Sequence, residues 1–392
     1  MSKLGLHAAR GLVFRLPRRL DANNAPEVDE QLDDEIASGQ EGTVVLDAAD
    51  TRYVSSAGLR VILRLVKRRP VRIENVSPEV YGVLEMTGFT EMIDVRKALR
   101  EVSVEGCEVI GTGANGTVYR IDPETIVKVY SNPDSLPDIE RERALARRAF
   151  VMGVPTAISY DVVRVGDLYG SVFELLNAKS YCQLLVSGDM SVDEAAQGQA
   201  QILKQMHANE VDGDLLPDHR DISLQKVARL EHVWPTSVTE GLRALIEAMP
   251  SCRRMLHGDF HVKNIMVQKG EALLIDMDTL CVGDPVFEFA GMYKPYISYP
   301  EIDPGNLERF FGISDEAGRK LWESTMRYYF GELSDERWAQ QVDRARLLAS
   351  LSTAASFAKK DLSKPRNRET LDYFQGVVEE LLPRVDHLAL LS

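Results

Sequence analysis

The chain has 392 residues, 44% hydrophobic and 27% charged, which is typical of soluble globular protein and long enough for two or three domains. Residues 1–100 hold 15 basic and 15 acidic residues, so the net charge of −14 falls entirely on the remainder. No stretch approaches the roughly twenty apolar residues of a membrane span, and the acidic balance argues against a nucleic-acid-binding protein.

The cysteines are scattered, without a Cys-x-x-Cys pair. This spacing argues against a disulfide framework or a cysteine-rich zinc site and predicts a reducing, cytoplasmic location. They are Cys107, Cys182, Cys252 and Cys281.

Residues 1–100 alternate short strands and helices, which predicts a small α/β domain with a sheet covered by helices. The segment 42–47 is a strand that ends in an acidic turn. Ser55 and Ser56 stand where an N-cap belongs, directly before the apolar helical run 57–66.

Four stretches of this domain resemble the STAS domain of anti-sigma-factor antagonists, over nearly all of residues 10–98. They are Leu20-Asp21, Val44-Val-Leu-Asp47, Val54-Ser-Ser-Ala-Gly-Leu59 and Leu84-Glu-Met-Thr-Gly-Phe89. The resemblance implies a protein partner and puts Ser56 at the family's regulatory phosphorylation site, although Ser55 replaces the aspartate that usually precedes it. Two interpretations stay open, a phosphosite and a plain helix cap.

A second domain is predicted to begin at about residue 104, and it opens with the pattern G-x-G-x-x-G-x-V. A dinucleotide-binding loop must open a helix, but this one runs into a strand, a tight turn and a second strand, so the glycines lie in a hairpin. In a kinase, such a hairpin lets backbone N–H groups approach ATP phosphates, and a lysine in the next strand pairs with them. The predicted ATP-binding residues are therefore Gly111, Gly113, Gly116, Val118 and Lys128.

A kinase lysine needs a glutamate from a following helix to hold it. The helical segment 138–150 offers Glu142, which we prefer for its distance to the Gly153-Val-Pro155 turn, and Glu140 as the alternative. The apolar segment 172–176 lies where a kinase chain crosses between lobes, and backbone groups of Glu174 to Leu176 are expected to face the adenine.

The segment Leu256-His257-Gly-Asp259-Phe-His261-Val-Lys-Asn264 gives the strongest signal in the chain. Asp259 and Asn264 have the D-x-x-x-x-N spacing of a kinase catalytic loop, which predicts a catalytic base and a ligand of Mg²⁺. Asp276 follows a strand and supplies the second metal ligand. Asp278 is either a third metal contact or a polar strand end.

His-Gly-Asp-x-x-x-x-Asn followed by Ile-Asp resembles the aminoglycoside and choline phosphotransferase family, over roughly residues 106–300. The resemblance implies an α+β, protein-kinase-like bilobal fold, with an N-lobe at 104–178 and a C-lobe at 179–392. It implies Asp259 as the base, and Asn264 and Asp276 as metal ligands. Asp284 is expected to brace the catalytic loop.

Histidines near these motifs have simpler explanations than metal binding. His257 and His261 lie four residues apart, as in some zinc sites, but no cysteine is near and the acids already have roles, so His257 is expected to brace the loop. His207 lies on the apolar face of a helix and is expected to pack in the core.

The preferred function is an ATP- and Mg-dependent phosphotransferase acting on a small hydroxylated or amino compound, with a STAS regulatory domain. Acids near the site mildly favour a cationic acceptor. They are Asp278, Glu288, Glu301 and Asp303. Two alternatives stay open: a serine protein kinase acting on Ser56 or a partner STAS domain, and a non-catalytic scaffold that senses nucleotide.

Overall fold

The computed structural model describes residues 12–37, 42–113, 115–211 and 215–390. The chain divides into two compact units between Ser103 and Val104, and residues 163–166 group with the first unit. An α/β unit is followed by a larger α+β unit, which confirms the fold class expected from the sequence.

The first unit alternates strands with helices. Its strands are β1 (Val13–Arg15), β2 (Arg19–Leu20), β3 (Val44–Asp47), β4 (Tyr53–Val54), β5 (Val71–Val76), β6 (Asp94–Lys97) and β7 (Arg100–Glu101). Its helices are α1 (Ala25–Ala37), α2 (Ser56–Val66), α3 (Pro78–Met86) and α4 (Phe89–Met92). Parallel strands in the order β1-β3-β5-β6 form its main sheet, and β2 pairs in parallel with β4.

Helix α2 begins where the sequence predicts, and its two serines have different roles. Ser55 is the N-cap, with a side chain that accepts hydrogen bonds from the N–H groups of Ala57 and Gly58. Ser56 is the first helical residue and is exposed. A Cβ atom at Gly58 would lie 2.5 Å from the carbonyl oxygen of Leu20, so the glycine allows the first turn of α2 to pack closely on β2.

The second unit begins with an antiparallel sheet in the order β12-β10-β9-β8, beside one long helix. These elements are β8 (Glu108–Gly113), β9 (Gly116–Asp122), β10 (Thr125–Tyr130), α5 (Leu136–Val151) and β12 (Leu168–Glu174). Strand β11 (Asp161–Val165) precedes β12 in the chain, and its last three residues group with the first unit. Two small antiparallel sheets follow, β13-β15-β16 and β14-β17. Their strands are β13 (Lys179–Ser180), β14 (Met255–Leu256), β15 (Ile265–Gln268), β16 (Glu271–Leu274) and β17 (Cys281–Val282).

Helices make up most of the second unit. They are α6 (Tyr181–Ser187), α7 (Val192–His207), α8 (His219–Leu230), α9 (Thr236–Glu247), α10 (Val286–Tyr293), α11 (Tyr299–Ile302), α12 (Asn306–Phe311), α13 (Asp315–Phe330), α14 (Asp335–Phe357) and α15 (Pro365–Leu381). A π-helical turn, Lys294–Ser298, joins α10 to α11. In the described ranges, no helix is apolar over a length that would cross a bilayer.

The second unit has one large apolar core around the catalytic segment predicted from the sequence. Phe260, Val262 and Ile265, which alternate with the polar residues of that segment, are at most 1% exposed. Trp322 of α13 is also buried and donates from its indole N–H to the carbonyl oxygen of Phe289 on α10 at 2.9 Å. The apolar residues thus anchor the segment in the core, while the side chain of Asp259 stays exposed.

Candidate active site

The glycine-rich segment joins β8 to β9 in a hairpin, as its sequence predicts. A Cβ atom at Gly116 would clash with the carbonyl oxygen of Val129, so the close approach of β10 requires this glycine. At Gly111 and Gly113, a Cβ atom would meet nothing within 4 Å among the described residues. These two glycines leave their backbone open to a ligand, which is the property that phosphate binding requires.

Lys128 lies in strand β10 and joins two acidic side chains. Its Nζ atom is 2.9 Å from Oδ1 of Asp276 and 3.4 Å from Oε1 of Glu142. Burial acts to lower the pKa of Lys128, but the carboxylates of Glu142 and Asp276 offset it, so the pKa is raised and the ammonium group stays charged. Helix α5 thus brings Glu142 to the lysine and leaves Glu140 exposed.

Tyr130 holds the other oxygen of Glu142, a contact that the sequence analysis missed. Lys128 and Tyr130 are two residues apart on β10, so their side chains project from the same face of the strand. The Tyr130 hydroxyl donates to Oε2 of Glu142 at 2.7 Å. Burial and the Glu142 carboxylate raise the pKa of Tyr130, which keeps it a neutral donor. The spacing of two along a predicted strand was the signal that could have revealed it.

Lys128, Glu142 and Asp276 border a cavity of about 410 Å³ with mainly apolar walls. Glu174 and Leu176, which the sequence analysis expected to face the adenine, both line it. Between them, the N–H group of Leu175 donates to the carbonyl oxygen of Glu124 at 2.7 Å and is therefore not free to bind a ligand. An apolar cavity with a few polar groups suits a nucleotide base. Its apolar lining includes Ile110, Val118, Ile126, Phe173, Met266, Ile275 and Met277.

His257 is buried and connects the predicted catalytic loop to the end of β16. Its Nδ1 atom accepts from the backbone N–H of Asp259 at 3.3 Å, so the ring proton lies on Nε2, which donates to the carbonyl oxygen of Ile275 at 3.1 Å. With both ring nitrogens engaged, His257 is not placed to bind zinc with His261. The side chain of Asp259 is 57% exposed, so its carboxylate is accessible to a substrate.

The carboxylate that braces this loop belongs to Glu288, and the expectation for Asp284 was wrong. Glu288 is 1% exposed and accepts hydrogen bonds from the backbone N–H groups of His257, at 2.6 Å, and Gly258, at 3.1 Å. Asp284 instead accepts from the backbone of Val286 and Leu390. Asp284 precedes α10 and Glu288 lies in its first turn, and only Glu288 reaches the loop.

Asn264 and Asp276, the predicted metal ligands, are connected through the backbone. Nδ2 of Asn264 donates to the carbonyl oxygen of Asp259 at 2.9 Å. The carbonyl oxygen of Asn264 accepts from the N–H of Ile275 at 3.0 Å, which places it beside Asp276. Asp276 has a φ of 64°, an uncommon conformation for a residue other than glycine, and one often found at functional sites.

Asp278 adds a further carboxylate to this site. Burial, and then the negative charges of Asp276 and Glu142, raise the pKa of Asp278 to about 6. Lys128 acts in the opposite direction and Asp259 in the same direction. The acids thus outnumber the single lysine, and a bound cation would relieve their mutual repulsion.

The donor atoms present here fit Mg²⁺. The amide nitrogen of Asn264 is bound to the loop, which leaves its Oδ1 atom for a cation, and Asp276 supplies a carboxylate. Both are oxygen ligands of the kind that Mg²⁺ prefers, with phosphate and water completing its shell. The described residues contain no group of three or more His, Cys, Asp or Glu side chains that could hold a metal ion.

Two of the acids from which the sequence predicted a cationic acceptor, Glu301 and Asp303, form ion pairs with arginines. Glu301 lies 3.5 Å from Arg346, and Asp303 lies 2.6 Å from Arg309 and 2.9 Å from Arg366. Because Glu288 is buried as well, these carboxylates do not supply the attraction that the sequence analysis assigned to them.

His207 packs in the core, as its position on the apolar face predicts. It is 3% exposed, and its Nδ1 atom lies 2.9 Å from the hydroxyl of Tyr329 on α13. His261 is partly buried, its Nε2 atom lies 3.7 Å from Oδ2 of Asp259, and burial lowers the pKa of His261. It is therefore mainly neutral near pH 7 and is placed beside the predicted base.

Comparison with protein families matches both parts of the chain. The model of the phosphotransferase enzyme family matches residues 106–322, and the model of the STAS domain matches residues 6–102. The fusion expected from the sequence is thereby confirmed. A search of the curated proteins finds no match.

Several solved structures are similar to this chain at low identity. The ADP-bound aminoglycoside phosphotransferase APH(2'')-Ib has 18% identity over 78% of this chain and 99% of its own, with a TM-score of 0.47. The streptomycin–ATP complex of APH(2")-IIa has 17% identity over 79% and 99%, with a TM-score of 0.47. A ternary complex of APH(4)-Ia with ADP and hygromycin B has 14% identity over 77% and 97%, with a TM-score of 0.47.

Proposed function

Because this chain belongs to the phosphotransferase enzyme family and contains a STAS domain, we propose that it transfers the γ-phosphoryl group of ATP to a small compound in the presence of Mg²⁺. The supporting observation is the contact of Lys128 with both Glu142 and Asp276 at the edge of the apolar cavity. A lysine held in this way is placed to pair with nucleotide phosphates. In this proposal residues 104–178 are the N-lobe, 179–392 the C-lobe and 1–100 the regulatory domain.

The chemistry assigns one role to each side chain. An oxygen of the acceptor attacks the γ-phosphorus, the bond from that phosphorus to the β–γ bridging oxygen breaks, and ADP leaves with the electron pair. The acceptor hydroxyl gives its proton to Asp259, whose exposed carboxylate can reach a substrate. Asn264 and Asp276 would hold Mg²⁺, which neutralises charge on the phosphates when bound.

We further propose that Glu288 is a positioning residue. Its buried carboxylate accepts hydrogen bonds from two successive N–H groups at the start of the catalytic loop. These bonds hold the backbone directly before Asp259 and so position that side chain. Hydrogen bonds that a carboxylate accepts from backbone N–H groups are among the stronger ones in proteins, which suits a loop that must not move during transfer.

The acceptor is proposed to be a small compound with a hydroxyl or amino group. Glu301 and Asp303 are paired with arginines and Glu288 is buried, so these carboxylates do not select a cationic acceptor. The other acids near Asp259 are Asp278 and Asp276, and Asp276 is the one proposed to hold the metal.

A transfer assay with γ-labelled ATP and Mg²⁺ tests the proposal. The protein is incubated alone and then with fractionated metabolite pools, and the Asp259→Asn variant serves as the matched control. We expect label on a small molecule with wild type and none with the variant. Label on neither a small molecule nor the protein, with ATP bound normally, would contradict catalysis and favour a nucleotide-sensing scaffold.

A protein acceptor is the second candidate, and the exposed hydroxyl of Ser56 favours it. Ser55 already caps helix α2, so the hydroxyl of Ser56 is not needed for the cap and projects from the first turn. A phosphate there would meet the positive end of the helix. In the same assay, label on the protein that Ser56→Ala abolishes would establish this acceptor. We propose Ser56 as the regulatory site of the STAS domain in either case.

A further inference from the structure

Three lysines lie together among the C-terminal helices, and we call them the lysine cluster: Lys226 of α8, Lys294 of the π-helical turn, and Lys360 just after α14. The Nζ atom of Lys226 donates to Oγ of Ser352 at 3.1 Å, and the Nζ atom of Lys294 donates to Oγ of Ser356 at 3.2 Å. Ser352 and Ser356 are one turn apart on α14, so two ammonium groups are held side by side on one helix face.

No carboxylate in the described part of the chain neutralises the lysine cluster. Within the described residues, none of the three ammonium groups forms an ion pair, although the protein has a surplus of 14 negative charges. Asp361, the acid next to Lys360, accepts hydrogen bonds from Ser363 instead. Like charges held together without a counter-charge are unfavourable, and a bound anion removes that cost.

The electrostatic effects within the cluster agree with its geometry. Burial, and then the positive charge of Lys294, lower the pKa of Lys226 to about 8, with a smaller contribution from Arg229 in the same direction and an opposing one from Cys281. Burial, Arg366 and Lys294 lower the pKa of Lys360. The amines therefore repel one another across the cluster, and Lys294 couples the other two.

The side chains present match one class of ligand. We propose that the lysine cluster, together with the hydroxyl of Ser352, is a binding site for a phosphate-class anion, either inorganic phosphate or the phosphate of a small molecule. The hydroxyl of Ser356 donates to the carbonyl oxygen of Ser352 at 2.9 Å, so Ser356 only positions Lys294. The ammonium groups of Lys226 and Lys294 each use one N–H on a serine and keep others for a ligand. Compact lysine charges with a hydroxyl donor suit a tetrahedral phosphate, whereas a planar carboxylate is better matched by the fork of an arginine.

The binding of inorganic phosphate to the full chain, measured by calorimetry at constant ionic strength, tests this site. The titration uses the Lys128→Ala variant, because Lys128 can itself bind phosphate at the nucleotide site. We expect saturable binding that Lys226→Met and Lys294→Met each weaken about tenfold or more, and that Lys320→Met, at an exposed helix position, leaves unchanged. Absence of saturable binding, or binding that neither variant weakens, would overturn the proposal, as would equal binding of acetate.

A second measurement needs no variant and so does not depend on the folding of one. Wild-type protein is acetylated with and without phosphate, and the extent of reaction at each lysine is read by mass spectrometry. With its lowered pKa, Lys226 reacts readily when free, and phosphate should slow that reaction severalfold while Lys320 is unaffected. Equal effects of phosphate on the two lysines would show that the cluster does not bind it.

Discussion

The hydroxyl of Tyr130 and Oε2 of Glu142 are joined by a 2.7 Å hydrogen bond, while Oε1 of the same carboxylate faces Lys128 at 3.4 Å. The strand that contains the lysine therefore also provides the group that orients its partner. Ser171, on the neighbouring strand, lies 3.5 Å from the same hydroxyl. Glu142 is thus held in place from β10 before any nucleotide binds.

We expect Tyr130→Phe to lower kcat/KM for ATP by about three- to tenfold, because it removes one hydrogen bond that positions Glu142 and leaves the ring packed. Steady-state kinetics and circular dichroism measure transfer and folding separately. Tyr160→Phe is the matched control, since its hydroxyl contacts Thr125 on the exposed surface. Unchanged kinetics in Tyr130→Phe would show that Lys128 alone positions the glutamate.

Asp259→Asn should reduce kcat by at least about a hundredfold, because the amide cannot accept the proton of the acceptor. Binding of ATP and the melting temperature should stay near those of wild type, since the carboxylate is more than half exposed. Turnover is measured with the acceptor that the transfer assay identifies. Wild-type turnover in this variant would assign the base to another residue, with His261 the nearest candidate.

Lys128→Ala and Asp276→Ala should weaken productive binding of Mg-ATP through different contacts. Calorimetry with and without Mg²⁺ separates the two effects. The lysine variant should bind ATP more weakly in both conditions, whereas the aspartate variant should lose only the increase in ATP affinity that Mg²⁺ causes. If Asp276→Ala retains that gain, the metal role passes to Asp278, and the double variant Asp276→Ala/Asp278→Asn should then abolish it.

The pKa of Asp278, raised from its usual 3.8 to about 6, makes the fold sensitive to pH. The folded state holds this proton more tightly than the unfolded state, so the free energy of unfolding falls as pH rises through that interval and remains lower above it. Without Mg²⁺, Asp278→Asn should abolish this loss and be more stable at pH 8 by about 1 kcal/mol, a value reduced for partial solvent exposure. Urea unfolding at several pH values measures it. Asp372→Asn, at an exposed helix position, should change nothing, and identical behaviour of the two variants would contradict the interaction.

Ser55 and Ser56 should respond differently to removal of their hydroxyls. Ser55→Ala should lower the free energy of unfolding by about 1 kcal/mol through loss of the cap, whereas Ser56→Ala should leave it nearly unchanged. Regulation is measured separately, as transfer activity and partner capture for wild type, Ser56→Ala and Ser56→Asp. If these three proteins behave alike and mass spectrometry finds no phosphate at residue 56 in cells, the STAS domain is not controlled at that serine.

Much of the candidate site could be predicted because its residue types occur at fixed spacings within single elements. Glycines in a hairpin, the lysine of the next strand, and Asp259 five residues before Asn264 depend only on local chain geometry. Glu142 was the preferred partner on spacing alone, and the structure brings it to Lys128.

The residue that braces the catalytic loop and the ion pairs of the nearby acids could not be predicted, because they depend on tertiary contacts that sequence spacing does not encode. Asp284 and Glu288 lie on the same short segment, and only the direction of the first turn of α10 decides which carboxylate reaches the loop. The pairing of Glu301 with Arg346, 45 positions later, required the packing of α14 against the π-helical turn that precedes α11. Charge counts along the sequence therefore overestimated the negative field around the acceptor.

The third glycine of the hairpin has a consequence for mutational scanning. Because β10 presses against Gly116, its substitutions should lower the amount of folded protein in the cell, and every activity measured in bulk would fall with it. Substitutions at Gly111 or Gly113 have space for a side chain and should leave abundance intact while catalysis declines. A scan scored by growth alone would rank the three positions together, whereas one that also counts protein molecules would separate a glycine kept for assembly of the sheet from two kept for chemistry.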